Sequence, residues 1–328
     1  MSRPLDFPAL ARMAGLPAAR GARSGPVKAR PAPLAPVMSV NDAFRKVMAA
    51  GLAHLLANER GLRKGADPEF LHQARVALRR LRSALDVFSP PLPGTVVGPV
   101  ERELKWLASR LGPARDWDVL MTETLPPIEA EFGAQPGLKA FSARCRGLRR
   151  SAGAEARRAA RSARYRRLTL KLSAWIIAEG WRVLPSVAAR AALQGPVGGH
   201  ARTVLQARYR RVRKRGRGLG ALSAARLHRL RIAIKKFRYA ADFFSGLYRG
   251  QPVREALRRL SHLQDILGAM NDAATAADLA VRVCRGRRSG DLLEARGILL
   301  GWNRARAAQL KKELNDAWRS FRAARTFW

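Results

Sequence analysis

Residues Leu71–Phe88 read LHQARVALRRLRSALDVF, and residues Leu227–Phe244 read LHRLRIAIKKFRYAADFF. The two segments align without a gap at an offset of 156, with identities at Leu71, His72, Arg75, Ala77, Arg82, Ala84, Asp86 and Phe88 of the first copy. Most remaining pairs are conservative, among them Val76/Ile232, Arg79/Lys235 and Arg80/Lys236. The same shift carries Leu111-Gly112 onto Leu267-Gly268 and Asp116 onto Asp272. One ungapped shift over this span makes the chain two copies of a single helical unit, joined near Gly195–Gly199. Internal repeats of this kind pack against each other, so a pseudo-twofold pairing of two half-bundles is expected.

Placed on a helical wheel, Arg75, Arg79 and Arg82 fall within about 80° of His72, while Ala74, Leu78, Leu81, Leu85 and Phe88 take the opposite side. The second copy repeats the division with His228, Arg231, Lys235 and Arg238 against Ile234, Phe237, Ala241 and Phe244. Arg80 and Lys236 flank their rows at the same wheel angle. Cations one turn apart repel one another by a few tenths of a kcal/mol per pair. A straight row of them suits a linear anion with regularly spaced charge, such as a chain of phosphates. A solvated basic face is the bland alternative, and the recurrence of one pattern in two copies weighs against it.

Around these segments nearly everything reads helical. Apolar residues recur at spacings of three and four, and alternating β-branched runs are missing. Residues 1–37, with Pro4, Pro8, Pro17, Pro26, Pro31, Pro33 and Pro36, read as a flexible tail or linker. Ser39 is placed to cap a helix from about Val40, with Asp42 in its first turn. Breaks are expected at Gly65-Ala-Asp67-Pro68, Ser89–Gly94, Gly112-Pro113, Pro126-Pro127, Gly195-Pro196 and Gly216–Gly220. The expected fold is therefore all-α: about ten helices spanning residues 38–328, in half-repeats 38–195 and 196–328.

Composition points to the same partner. The 328 residues include 63 Lys+Arg and 24 Asp+Glu, a formal net charge of +39. Of the cations 52 are arginine, whose planar fork matches phosphate oxygens. GC-rich coding alone would favour arginine over lysine, but it leaves the scarcity of acids unexplained. From Lys139 to Ala241 there are 28 Lys/Arg against two acids, Glu155 and Glu179, where an ordinary surface mixes both signs. The Ala/Arg-rich stretch from about Ser142 to Trp175 reads as one long helix, weakened at Gly147 and Gly153. Its Arg146, Arg150, Arg157, Arg161, Arg164 and Lys171 share a face that could line the same groove. Arg208–Arg217 (RYRRVRKRGR) reads in isolation as a nucleic-acid patch, and equally well as a mobile polybasic loop beside a binding groove.

Other chemistry finds little support. Cys145 and Cys284 form no CxxC pair and read as small buried hydrophobes. No apolar run is long enough to span a membrane and no secretory signal is evident, so the expected compartment is the cytoplasm. Asp116, Asp118 and Asp272 follow expected helix stops and read as caps or arginine partners rather than a metal-holding cluster. His72 and His228 head their rows and read as phosphate donors or orienting groups. A metal-ligand role would need carboxylate or cysteine partners that the sequence does not gather. No catalytic residue, metal or cofactor is assigned.

At His72-Gln-Ala-Arg-Val-Ala-Leu-Arg-Arg-Leu-Arg82 and His228-Arg-Leu-Arg-Ile-Ala-Ile-Lys-Lys-Phe-Arg-Tyr239 the sequence closely resembles the CHAD domain family (conserved histidine α-helical domain). Leu111-Gly-Pro-Ala-Arg-Asp116, Leu267-Gly-Ala-Met-Asn-Asp272 and the ending Thr326-Phe327-Trp328 extend the resemblance from about Ser39 to the C-terminus. It implies two symmetry-related helical subdomains around a basic groove, binding of inorganic polyphosphate and association with polyphosphate granules. By position, the implied ligand-facing residues are His72, Arg75, Arg79, Arg80 and Arg82, with His228, Arg231, Lys235, Lys236 and Arg238. Many relatives carry a CYTH domain, a metal-dependent triphosphate-hydrolysing barrel. Here only Phe7–Val37 looks like the end of one, and its alternating-glutamate motif is missing. The chain is thus expected to be a stand-alone or truncated relative of CYTH–CHAD proteins, with a CYTH-type enzyme or granule proteins as further partners. Polyphosphate binding without catalysis is the leading expectation. Nucleic-acid binding is the alternative, weakened by the lack of an aromatic stacking platform near the cations. An accessory role in metal-dependent phosphoanhydride hydrolysis is the third.

Overall fold

Ser39 starts the first helix as its position predicts: its hydroxyl accepts the Asp42 N–H at 3.0 Å. The computed structural model describes residues 25–328 apart from 66, 90–91, 134, 183–185 and 287–288. Twelve α-helices follow one another among the described residues: α1 (Val40–Ala57), α2 (Glu59–Lys64), α3 (Pro68–Phe88), α4 (Gly94–Val119), α5 (Leu125–Phe132), α6 (Pro136–Arg161), α7 (Ala163–Ile177), α8 (Val187–Gln194), α9 (Val197–Arg215), α10 (Ala224–Phe244), α11 (Gln251–Cys284) and α12 (Gly290–Ala323). A π-helical turn, Leu120–Thr124, joins α4 to α5. No strand is present among the described residues, so the fold is all-α. A lone antiparallel bridge pairs Ser39 with Pro196, tying the start of α1 to the start of α9.

The sequence repeat is visible in the helix boundaries. The offset of 156 carries Pro68–Phe88 onto Ala224–Phe244, the bounds of α3 and α10. Their apolar stripes are buried as the wheel requires: Ala74, Leu78, Leu81, Leu85 and Phe88 on α3, and Ile234, Phe237, Ala241 and Phe244 on α10. The two helices meet through Phe88 and Phe244, whose rings lie 5.7 Å apart edge to face. A large core runs from α1 through α3, α4, α7, α9 and α10 to the C-terminal end of α12. A second core joins Trp117 and Leu120 to Phe141 and Cys145 of α6, Leu279 and Val283 of α11, and Leu299 of α12. Both cysteines are free and buried, and burial pushes the Cys145 thiol up to about 12. No helix of the described residues is long and apolar enough to cross a membrane.

Four local expectations change. Gly112-Pro113 and Gly268 do not stop helices; they lie inside α4 and α11. Pro113 gives up one backbone hydrogen bond, but Leu107, Leu111, Ala114 and Trp117 carry a buried stripe straight through it. Asp116, Asp118 and Asp272 are therefore side chains within helices rather than caps. The expected long helix from Ser142 to Trp175 is broken at Ser162, whose extended backbone and hydroxyl cap α7 by accepting the Tyr165 N–H. Arg208–Arg215 is helical rather than a loop, because Leu205 and Val212 share a buried face with Tyr209. Of the Pro-rich segment, residues 1–24, with Pro4, Pro8 and Pro17, lie outside the described residues. The part from 25 to 37 is held down rather than loose: Ala32 and Leu34 are buried. Asn58 accepts the Val27 N–H at 3.0 Å and donates to the Val27 carbonyl at 2.9 Å.

Candidate functional site

Part of the α3 row and part of the α10 row meet over one cavity of about 610 Å³. Five of the ten signature cations line it: His72, Arg75 and Arg79 from α3, and Arg231 and Lys235 from α10. The C-terminal part of α4 adds Arg115 and Asp116, α11 adds Gln264, Asp265, Asn271 and Asp272, and α12 adds Trp302, Asn303 and Arg306. Glu123 and Thr124 close one side. Asp116 and Asp272, equivalent in the two repeats, thus stand in the same cavity.

Electrostatics divides these groups. Burial pushes the Asp116 carboxyl above its ordinary value; Arg75 pulls it back and Asp272 pushes it further. Asp272 is likewise raised by burial, against the Asn271 amide and Arg231, which lower it. Each repeat therefore sets one aspartate against one arginine. Arg115 pairs with Glu123 at 3.0 Å. Lys235 has no such support. Burial and then Arg79, Arg231, Arg75 and Arg82 push its ammonium down to about 7, and it forms no ion pair with a carboxylate of the described residues. Arg79 is fixed by donating from Nε to the Tyr239 hydroxyl at 2.9 Å, an inter-repeat bond that aims its fork. Burial and Arg115 lower His72, favouring the neutral ring. Gly112 sits where a Cβ would come within 3.2 Å of an Arg75 terminal nitrogen; the glycine that looked like a helix stop instead leaves room for a guanidinium.

The remaining signature residues lie elsewhere. Arg80 stacks over Phe243, 5.2 Å from the ring centre, and is supported by Asp242. Lys236 donates to Asp86 at 2.8 Å. Arg238 is held by Gln264 at 2.6 Å and Asp242 at 3.2 Å. Lys236 and Arg238 spend donors on the fold and Arg80 packs its guanidinium against a ring, since each sits at the edge of its row facing a neighbouring helix. Arg82 does not line the cavity, and its Nε is buried with no partner among the described residues. His228 is exposed, unlike its counterpart His72.

The arginines of the Ala/Arg stretch do not line this cavity either. Arg150 and Arg157 lie in a separate cleft of about 340 Å³ with Arg146 and Arg149. Arg161 donates twice to the Arg63 carbonyl, capping the end of α2. Arg164 is bound by both oxygens of Glu103 at 2.9 Å and covers the Trp106 ring. The break at Ser162 and these local partners explain why one wheel face does not become one surface. Sequence reasoning passed over Arg115, Asn303 and Arg306. Arg115 stands in the Leu111–Asp116 motif and could have been read from it; the two α12 residues belong to no repeated pattern. Among the described residues no group of three or more His, Cys, Asp or Glu is placed to hold a metal ion.

Comparison with known proteins adds a family. The CHAD domain model matches residues 46–281. The crystal structure of the CHAD domain from the plant Ricinus communis is similar over 92% of this chain and 98% of its own, at 32% identity and a TM-score of 0.79. PptA from Streptomyces chartreusis shares the fold at 20% identity and a TM-score of 0.66, over 86% of this chain and all of its own. No curated protein matches the sequence.

Proposed function

The chain belongs to the CHAD domain family, and from that premise we propose that it binds linear inorganic polyphosphate in the cavity between α3 and α10, without hydrolysing it. The observation that carries this reading is Lys235: a half-buried ammonium crowded by four arginines and in no ion pair with a carboxylate of the described residues. Such a group is unfavourable until an anion joins it. Arg79 supplies a fork held by Tyr239, Arg75 and Arg231 are positioned beside their aspartates, and His72 offers a ring N–H. Binding is multivalent charge neutralisation with release of counterions, so affinity falls steeply with salt. The cavity takes an extended phosphate chain better than a duplex, since it is a cleft between helices whose lining includes one large aromatic ring, Trp302, rather than a row of them. In the cell this activity places the protein on polyphosphate granules in the cytoplasm.

The test is retention on polyphosphate beads at graded salt, with competition by single- and double-stranded nucleic acid at equal phosphate concentration. Polyphosphate should win at physiological salt; a win for nucleic acid refutes the reading. Charge reversal of Arg75, Arg79, Arg231 and Lys235 should abolish retention with helicity kept. Release of phosphate from polyphosphate or triphosphate with Mg²⁺ or Mn²⁺, above a heat-killed control, would overturn the non-catalytic part.

A further inference from the structure

Helix α12 lies beyond residues 46–281, the span matched by the family model, and carries no part of the repeated signature. It nonetheless turns Asn303 and Arg306 to the cavity. Asn303 is 6% exposed, and its amide nitrogen is buried with no hydrogen-bond partner among the described residues. Proteins retain few such donors, because an unmet buried N–H carries a desolvation cost that nothing offsets. The other buried polar atoms without a partner among the described residues, such as the Tyr165 hydroxyl and Arg296 Nε, belong to residues that do not line the cavity. This one is instead placed on the wall of a cavity that gathers His72, Arg75, Arg79, Arg231 and Lys235. What it lacks is an acceptor, and a phosphate oxygen is one. Arg306 follows three residues later on the same helix face, about 4.5 Å along the axis. It is exposed and makes no hydrogen bond or ion pair with the described residues.

We propose that Asn303 and Arg306 form a third phosphate-binding edge, the amide donating to one phosphate of the bound chain and the guanidinium engaging the next. The inference rests on the polyphosphate reading and extends it. The site is then more than two symmetric rows: a helix outside the repeated signature fixes the chain from the side and adds contacts that a single orthophosphate would not span.

Two variants of the full chain test it, Asn303→Leu and Arg306→Ala, titrated calorimetrically with size-fractionated sodium polyphosphate at several salt concentrations. Asn303→Leu should lose about tenfold in affinity, the value of a hydrogen bond to a charged acceptor. Its salt slope should stay unchanged and its melting temperature without ligand should be equal or higher, because an unmet polar group has been replaced by an apolar one. Arg306→Ala should weaken binding and reduce the salt slope by about one, as for a single lost phosphate contact. Being exposed, it tests the proposal even if Asn303→Leu folds poorly. Wild-type affinity and slope in Arg306→Ala, or a lowered melting temperature with intact affinity in Asn303→Leu, overturns the proposal. If both variants bind normally while charge reversal at Arg75, Arg79, Arg231 and Lys235 abolishes binding, only this edge falls; if the wild type does not bind, the parent reading falls first.

Discussion

Replacing Lys235 with methionine should stabilise the unliganded protein while loosening its hold on polyphosphate. The Lys235 ammonium is pushed from 10.5 down to about 7 by burial and by Arg79, Arg231, Arg75 and Arg82. That depression corresponds to about 5 kcal/mol of disfavoured charge in the folded state. Its sign follows from proton counting. Between the folded and unfolded values the unfolded chain binds more protons, so stability rises with pH across this window. The penalty is complete below about 7 and absent above about 10.5. Methionine keeps an apolar stem of similar length and removes the charge. Differential scanning calorimetry should therefore show a higher melting temperature for Lys235→Met at about pH 6, with the gap closing as the pH approaches about 10. Polyphosphate restores the ammonium, so at about pH 8 the wild type should take up a fraction of a proton on binding. That uptake is read from the dependence of calorimetric heat on buffer ionisation enthalpy, and Lys235→Met should lose it along with affinity. A variant less stable than wild type at about pH 6, or one with undiminished proton uptake, refutes the reasoning.

Three further outcomes follow from the cavity and its frame. Asp116 and Asp272 are both raised by burial, so acidification through their titration removes negative charge facing the ligand; polyphosphate affinity should climb as pH falls, and Asp116→Asn/Asp272→Asn should hold the higher affinity at neutral pH with a flatter profile in a binding titration. Gly112→Ala places a methyl within 3.2 Å of an Arg75 nitrogen, which should displace the fork and cost a few-fold in affinity on polyphosphate beads, while melting shifts little because alanine favours the helix by about 1 kcal/mol. Asp118 is 5% exposed and accepts from Arg149 Nε at 2.6 Å; Asp118→Ala should lower stability by about 1.5–3 kcal/mol in urea unfolding, with cavity binding retained because neither residue lines that cavity.

The helical class and the equivalence of α3 with α10 were legible because both rest on local spacing, which survives in any environment. The limits were tertiary. A helical wheel places Arg80, Lys236 and Arg238 next to their rows, but only the folded chain brings Asp242, Asp86 and Gln264 against them. Gly112-Pro113 carries every local sign of a break, yet the buried stripe from Leu107 to Trp117 holds α4 together through it. The arginines of α6 and α7 share a wheel face only if the helix is continuous, and the Ser162 cap divides it. Asn303 and Arg306 left no trace in the repeat, since a helix that enters a site from the side needs no internal periodicity matching it.

The carboxylates in an anion site have a physical logic. A cavity lined by cations alone would repel itself apart in the absence of ligand. Asp116 beside Arg75 and Asp272 beside Arg231 relieve that repulsion where each repeat is most crowded. Lys235, with no such partner, is left to be satisfied by what binds. The aspartates hold the frame and the unpaired cation selects the occupant. Burial nevertheless holds both carboxyls above their ordinary range, so their charged forms are disfavoured in the fold; neutralising them should raise affinity and also raise the stability of the unliganded protein near neutral pH, whereas removing the unpaired cation should raise stability and lower affinity. Stability that rises in both Asp116→Asn/Asp272→Asn and Lys235→Met, with affinity moving in opposite directions, separates burial of individual charges from simple summed charge, under which the aspartate variant, carrying more net positive charge, would be the less stable one.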